Sequence, residues 1–358
     1  MQEIFRFLLA PFALLYSFIA WLRNKFFDWG VFHSMQFDVP TISIGNLTVG
    51  GTGKTPHIEY LIRLLLKSNY SPATLSRGYG RKTSGFVLAD MNSTSKDIGD
   101  EPRMFKQKFP FIPVGVVENR VLGVPNLLMS SPNTQVVLLD DAFQHRSLKP
   151  HLNILLTEYG NLFTRDYVLP IGRLRESRKG YKRANMIVVT KSPEKISIQE
   201  KQKIIAEIIP TERQRVYFSH LVYGNSYSLL LPDFKLNLNA NMDVLLVCGI
   251  ARPEKLISYL QTKVKNVYVR KFEDHHEYSI DELYTLEETF GNLQSKEKVI
   301  ITTEKDAMRL MEFRSWIAEN NLPVYVLPVE VKFHPDDEEK FNNHILYFME
   351  KIMNGTNG

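Results

Sequence analysis

Residues 45–56 (GNLTVGGTGKTP) carry the clearest chemistry in the chain. Glycines let backbone N–H groups close around phosphate oxygens, a lysine reaches the terminal phosphates, and a following hydroxyl ligates a magnesium ion. Thr48, Val49, Gly50, Gly51, Thr52, Gly53, Lys54 and Thr55 are therefore expected to cradle a nucleoside triphosphate, with Lys54 on its β- and γ-phosphates and Thr55 on Mg²⁺. The position five before Gly53 is Thr48, where the plain pattern has glycine, so the tight turn is assigned to Gly45 and to Gly50 with Gly51. An apolar run at 134–139 ends in Asp140 and Asp141, and a carboxylate at the end of such a strand holds Mg²⁺ directly or through water.

Other polar groups have two readings. Arg77 and Arg81 stand among glycines and suit an anionic ligand, since guanidinium groups fork onto phosphate. A solvated turn is the plainer reading there. Arg173 and Arg175 supply two more arginines. His145 lies just past the acidic strand end, where open α/β sheets bind ligands, but a hydrogen-bonded structural histidine fits equally. Asp100, between Gly99 and a helical segment with Pro102, reads on residue physics alone as a helix N-cap. His275 and His276 are adjacent, so in an extended chain they point to opposite sides and make a poor metal pair. With Asp274 before them they form either a proton-acceptor pair or a polar loop.

These groups need a scaffold. Residues 39–44 read as a buried strand and 57–68 as an amphipathic helix, so the glycine loop has the strand–loop–helix setting its chemistry requires. Further strands are expected at 73–75, 134–139, 184–190, 268–272 and 299–303, and a carboxyl-terminal helix around 344–352. Thr190–Lys191–Ser192–Pro193 lacks the aspartate of a guanine-reading Asn-Lys-x-Asp, which favours ATP.

The 358-residue chain is long enough for two domains. Its one cysteine, Cys248, excludes an internal disulfide and a cysteine-based zinc site. The net charge of +5 is mild, and no run of five like charges or aromatic-interleaved basic stripe occurs, so nucleic acid is not an expected partner. Residues 7–22 (FLLAPFALLYSFIAWL) are uncharged and flanked by Arg6, Arg23 and Lys25. As a helix they would reach roughly 24 Å, short of a hydrocarbon core of about 30 Å, and Pro11 interrupts them. A signal peptide and a core helix are alternatives; the favoured reading is a helix in the cytoplasmic leaflet with Tyr16, Trp21 and Trp29 at headgroup level.

Together, GNLTVGGTGKTP from Gly45, SRGYGRK from Ser76, GDEP from Gly99, LDDAFQHR from Leu139, PIGRLRE from Pro170, FEDHHEYS from Phe272 and TEKDAMRL from Thr303 resemble the tetraacyldisaccharide 4′-kinases, in that family's order and across nearly the whole chain. Thr48 belongs to the family's own loop form, whereas Ala142 and Ser177 depart from its usual glycine and proline. The resemblance implies an α/β protein of two α/β/α sandwich domains, the first a P-loop NTPase-type core, joined by a short β-ribbon hinge. A membrane-associated amino-terminal helix precedes them. The expected division is 1–30 for that helix, 31–216 for the core, 217–240 for the hinge, 241–337 for the second domain and 338–358 for a carboxyl-terminal helix that packs back on the core. It implies transfer of phosphate from ATP, with Mg²⁺, to the 4′-hydroxyl of a tetraacylated glucosamine disaccharide 1-phosphate, giving lipid IVA. The place implied is the cytoplasmic face of the inner membrane, peripheral or monotopic, with no protein partner. Carried over, the catalytic pair falls on Asp100 and His275; Asp140, Asp141 and Thr55 organise Mg²⁺; and Arg77, Arg120, His145 and Arg175 contact substrate. The competing reading is a P-loop NTPase acting as a switch or metallochaperone. A membrane-anchored binding module is a third, which leaves the Lys54, Thr55 and Asp140 set without a use.

Overall fold

In the computed structural model the described residues are 2–355, with the side chains of 2–8 excepted. Met1 and residues 356–358, which the expected terminal helices include, lie outside the described residues. The chain runs α1 (Gln2–Asp28), β1 (Thr41–Asn46), α2 (Lys54–Lys67), β2 (Pro72–Ser76), β3 (Val87–Leu88), α3 (Ser95–Ile98), α4 (Asp100–Lys108), β4 (Val114–Val116), α5 (Arg120–Ser130), β5 (Val136–Asp140), β6 (Leu152–Glu158), β7 (Met186–Thr190), α6 (Ile198–Ile208) and β8 (Arg215–Tyr223). Then come β9 (Ser226–Ser228), β10 (Lys235–Leu236), β11 (Asp243–Cys248), α7 (Glu254–Gln261), β12 (Asn266–Lys271), α8 (Ile280–Gly291), β13 (Lys298–Thr303), α9 (Glu304–Leu310), α10 (Arg314–Glu319), β14 (Val324–Leu327), β15 (Val329–Phe333) and α11 (Pro335–Gly355).

Among the described residues two mixed sheets result. The first has nine strands in the order β15-β8-β7-β6-β1-β5-β2-β4-β3, parallel except at its two edges. The second has six, in the order β10-β9-β14-β13-β11-β12. Parallel strands need both faces covered, and the side chains alternate accordingly. Ile42, Ile44 and Leu138 pack with Ile58, Leu61 and Leu65 of α2 and with Phe341, Ile345 and Met349 of α11. Val137, Leu139 and Leu75 face the other way, against Val124 and Leu127 of α5. In the second sheet Leu245 and Val247 pack with α8 and α9, while Val244 and Leu246 pack with α7.

Two features tie the sheets together. The chain crosses between them twice, and at the crossings Gly224 N–H donates to Pro328 O at 2.9 Å. The helix α4 is shared: Phe105 lies in the core of the first sheet and Met104 in that of the second. Asp100 is one helical turn before Met104, so it faces the second sheet too.

Helix α1 continues without a break past Pro11. It is not a core helix: Phe12, Leu14, Leu15, Phe18 and Ile19 are exposed. Its other edge is pinned by polar contacts, Tyr16 Oη to Arg175 O at 3.0 Å, Asn24 Nδ2 to Glu176 Oε2 at 2.8 Å and Arg146 Nη1 to Asn24 O at 2.7 Å. Among the described residues no helix is long and apolar enough to cross a membrane.

Candidate active site

The glycine loop leaves β1 at the centre of the first sheet and enters α2. Gly50 and Gly53 adopt φ of 104° and 89°, which side chains other than glycine's rarely allow. Gly45 makes no turn, contrary to the sequence expectation. It lies within β1, where a Cβ would come within 2.6 Å of Phe143 Cβ, so glycine is needed there for close packing. Thr48 also finds its explanation: the loop here is extended, not turned. Thr48 bridges Leu174, Val49 N–H donates to Arg173 O at 2.8 Å, and Arg175 N–H to Leu47 O at 2.7 Å. The rest of the loop is held by side chains. Asn46 Nδ2 donates to Thr52 Oγ1 at 2.9 Å, Thr190 Oγ1 to Thr52 O at 2.8 Å, and Lys191 Nζ to Gly51 O at 2.6 Å.

His57, one turn into α2, locks the loop's end. Gly53 O can only accept, so the Nδ1 of His57 carries the proton in their 2.7 Å bond, and Nε2 accepts from Ser219 Oγ at 3.0 Å. Burial pushes this imidazole down to about 4.

Lys54 and Thr55 open α2, and Asp140 ends the neighbouring strand β5. Asp140 is buried, its Oδ1 has no hydrogen-bond partner among the described residues, and burial raises its carboxyl to about 7 against the pull of Lys54. Asp141 follows with a left-handed φ of 47°. Its carboxylate lies 3.6 Å from Lys54 Nζ and accepts from Arg175 Nη1 at 3.0 Å on both oxygens. Burial works against its charge, but Lys54 and Arg175 outweigh it and hold the carboxyl below its ordinary value. Arg120 is buried and donates to Asp140 O at 3.2 Å; its Nε is unpartnered among the described residues. His145 bonds Ser147 Oγ at 3.0 Å; burial and then the positive charges of Arg120, Arg77 and Arg23 lower it to about 4. Arg77, Arg120 and His145 therefore share one electropositive corner beside Asp140, and Arg175 enters from the loop 166–176 side.

The second half of the site comes from elsewhere. Asp100 is not the cap of α4: Gly99 is, with a φ of 90°, and Asp100 opens the helix itself. The Asp100 carboxylate meets His275 Nδ1 at 3.1 Å and is forked by Arg309, whose Nε lies 3.2 Å from Oδ1 and whose Nη2 bonds Oδ2. Burial alone would raise this carboxyl. The hydrogen bonds from His275 and Arg309, with the Arg309 charge, overturn that and hold it well below the usual carboxylate range. His275 sits at a left-handed φ of 64°, and Tyr79 packs edge-on to its ring with centroids 5.4 Å apart. Tyr79, Lys96, Asp100, His275 and Arg309 line a cavity of about 160 Å³. Glu101 links the halves: it pairs with Lys305 at 2.8 Å and its charge is felt by Asp140. The alternative pairing of Asp274 with His275 is loose, at 3.9 Å.

The structure thus gathers the predicted residues into two neighbouring groups. Lys54, Asp140, Asp141, Arg77, Arg120, His145 and Arg175 form one, and Asp100 with His275 the other. Arg309, Glu101, Lys191 and Asn46 were missed. For Arg309 a signal existed, since Asp306 and Arg309 stand three apart on a helix whose Thr303 cap is visible in sequence.

The profile of the family described as Tetraacyldisaccharide-1-P 4′-kinase matches residues 5–350. Among proteins named tetraacyldisaccharide 4′-kinase, that of Parabacteroides distasonis is 46% identical over 345 residues, covering 95% of this chain and 93% of its own. That of Bacteroides thetaiotaomicron is 43% identical over 360 residues, covering 97% and 94%. A crystal structure of LpxK from Aquifex aeolicus in complex with ATP superposes with a TM-score of 0.74 at 28% identity, over 96% of this chain and 99% of that one.

Proposed function

The chain belongs to the tetraacyldisaccharide-1-P 4′-kinase family, and from that premise we propose that its two groups of residues divide one phosphoryl transfer between them. The protein is a kinase of lipid A biosynthesis that uses ATP to phosphorylate the 4′-hydroxyl of a tetraacylated disaccharide 1-phosphate. A nucleotide switch or metallochaperone is not favoured. In our reading residues 48–55 wrap the phosphates of ATP, with Lys54 leaving Asp141 to meet the transferred group. Asp100 takes the proton of the sugar hydroxyl, and His275 orients it. Arg77, Arg120, His145 and Arg175 hold the acceptor's sugar and phosphate. The observation that carries this is the approach of His275, from the second sheet, to Asp100 on the shared helix α4, whose next residue, Glu101, places its charge within reach of Asp140. A switch has no use for such a proton acceptor.

The residues present fit Mg²⁺. Asp140 Oδ1 is a buried carboxylate oxygen left without a partner among the described residues, and hard oxygen ligands are what this ion takes. Asp140 and Thr55 would hold it, with Asp141 beside them, already engaged by Arg175. There it would neutralise negative charge on the nucleotide's terminal phosphates as the phosphoryl group is transferred.

We read the two sheets as the cores of two domains, with the crossings at 224–225 and 328 as their hinge. We read the exposed apolar stripe of α1 as the surface that rests on the cytoplasmic leaflet and brings the lipid acceptor to the site. An outward stripe on a helix whose other edge is pinned beside Arg175 supports this. Deleting residues 1–22 should release the protein from vesicles of anionic phospholipid in a sedimentation assay; continued co-sedimentation would assign the anchor elsewhere. The central test is transfer from labelled ATP to purified acceptor. Asp100→Ala should slow it by about 10²-fold or more, and full turnover in that variant would remove Asp100 from the chemistry.

A further inference from the structure

We propose that Arg309 is a positioning residue for this transfer: it builds the Asp100–His275 pair and does so only when the second sheet lies against α4. The inference rests on the reading of Asp100 as proton acceptor.

Arg309 stands where three parts of the chain meet. From the second sheet its own helix, α9, presents a guanidinium that is almost completely buried. Its Nε and Nη2 fork the Asp100 carboxylate of α4, which begins 209 residues earlier. The same Nη2 lies 3.2 Å from His275 Nδ1, and Nη1 donates to His276 O at 3.2 Å, so the left-handed turn carrying His275 is held by the group that holds Asp100. Behind it, Asp306 is fully buried 3.6 Å away. That carboxylate is itself fixed by Gly249 N–H at 3.0 Å, Thr303 Oγ1 at 2.6 Å and Tyr278 Oη at 3.3 Å. The chain of contacts runs from the β11 end through Asp306 and Arg309 to Asp100.

A planar fork fixes both position and rotation of a carboxylate, which a point charge does not. It also has a chemical consequence: a guanidinium on a carboxylate makes it a poorer proton acceptor. Arg309 therefore contributes orientation at the expense of basicity. Asp100 would take the hydroxyl proton as the new P–O bond forms and ADP leaves, while Arg309 keeps its own protons. Among the described residues the other titratable groups facing Asp100 are His275 from the second sheet, Arg103 on its own helix and Lys305 on α9, with Asp306 behind Arg309. None of them forks it.

Replacing the fork gives a signature that lost stability does not. With folded protein confirmed by circular dichroism, Arg309→Met should lower kcat by about 10²-fold, the scale of a misplaced acid–base group, and leave the KM for ATP within about threefold. The acid limb of its kcat/KM profile should move to higher pH, because Asp100 loses the neighbour that depresses it. Arg309→Lys keeps charge without the fork, so its acid limb should stay near the wild type while kcat falls by an intermediate factor. Added guanidinium ion should restore part of the kcat of Arg309→Ala. Wild-type kcat in Arg309→Met, or a slowed enzyme with an unmoved acid limb and no guanidinium rescue, overturns the proposal. Asp100→Ala, measured alongside, separates the two readings: full turnover there defeats the role of Asp100 itself, whereas a slow Asp100→Ala beside a fast Arg309→Met defeats only Arg309.

Discussion

Lys54 and Asp141 meet just beyond the ends of β1 and β5, adjacent strands of one sheet, whereas Asp100 is met by His275 and Arg309 from the other. The phosphate half is therefore held by elements that fold together: β1, β5 and β7 are neighbours or near neighbours in the first sheet, and the loop between β1 and α2 is fastened by backbone bonds to residues 173–175. The half we propose as proton acceptor is assembled where α4 is covered by α9 and the turn at 275. One half is built with the fold of its sheet. The other reports whether the two sheets are in contact.

The comparison breaks first at Lys54. Lys54→Ala should cut transfer by about 10³-fold, the scale of removing a preorganised charge from a developing anion, and should also weaken nucleotide binding. Intact phosphorylation of the acceptor would refute the glycine-loop assignment.

Next comes the joint between the halves. Lys108, at the far end of α4, pairs with Glu59 of α2 at 2.6 Å and with Glu304 of α9, all three being largely buried. Burial raises Glu59 to about 7, and Lys108 opposes that rise. Lys108→Met would strand two buried carboxylates and should destabilise the chain by about 3–5 kcal/mol in urea titration. A loss below about 1 kcal/mol would mean that the joint is not a fastening.

A third expectation concerns pH and the phosphate half alone. His57 is near 4 in the folded protein and about 6.5 when free, so the folded state excludes its proton. Its contribution is complete above pH 6.5 and is lost as pH falls through 6.5 to 4, to a limit of about 3 kcal/mol. Denaturation midpoints across that window should fall for the wild type and flatten for His57→Gln. Equal slopes would place the acid sensitivity on another group.

The smallest effect sharpens the comparison most. Asp100→Ala should change the Kd for ATP by no more than about threefold, roughly 0.7 kcal/mol, in calorimetry without acceptor. A tenfold loss would show that the halves are one energetic unit.

Much of the phosphate half was legible because its chemistry is contiguous. Gly50 and Gly53 need positive φ within a few residues of the lysine they serve, and a β-branched run ending in Asp140 announces itself. Even so, Gly45 was assigned a turn when its reason is the nearness of Phe143, a residue 98 positions away. The strands at 134–139 and 184–190 and the helix after the loop were placed to within a few residues by their periodicity. The short β9 and β10 and the returning β15 carried too little pattern to be paired, since an edge strand's partner is chosen by the sheet rather than by its own residues.

For the other half the residues alone pointed the wrong way. A carboxylate at a helix start does the same local work whether it caps or catalyses, so Asp100 read as a cap; the family resemblance, not its own surroundings, marked it. Residue types and spacing by themselves carried the expectation of a strand, a glycine loop and a helix suited to wrapping phosphates, and the structure has that strand, loop and helix in order. Only the tertiary structure decided that Asp100 meets His275 and Arg309, 175 and 209 residues away, because a charge pair between sheets is set by how two cores share one helix, and no local pattern encodes that.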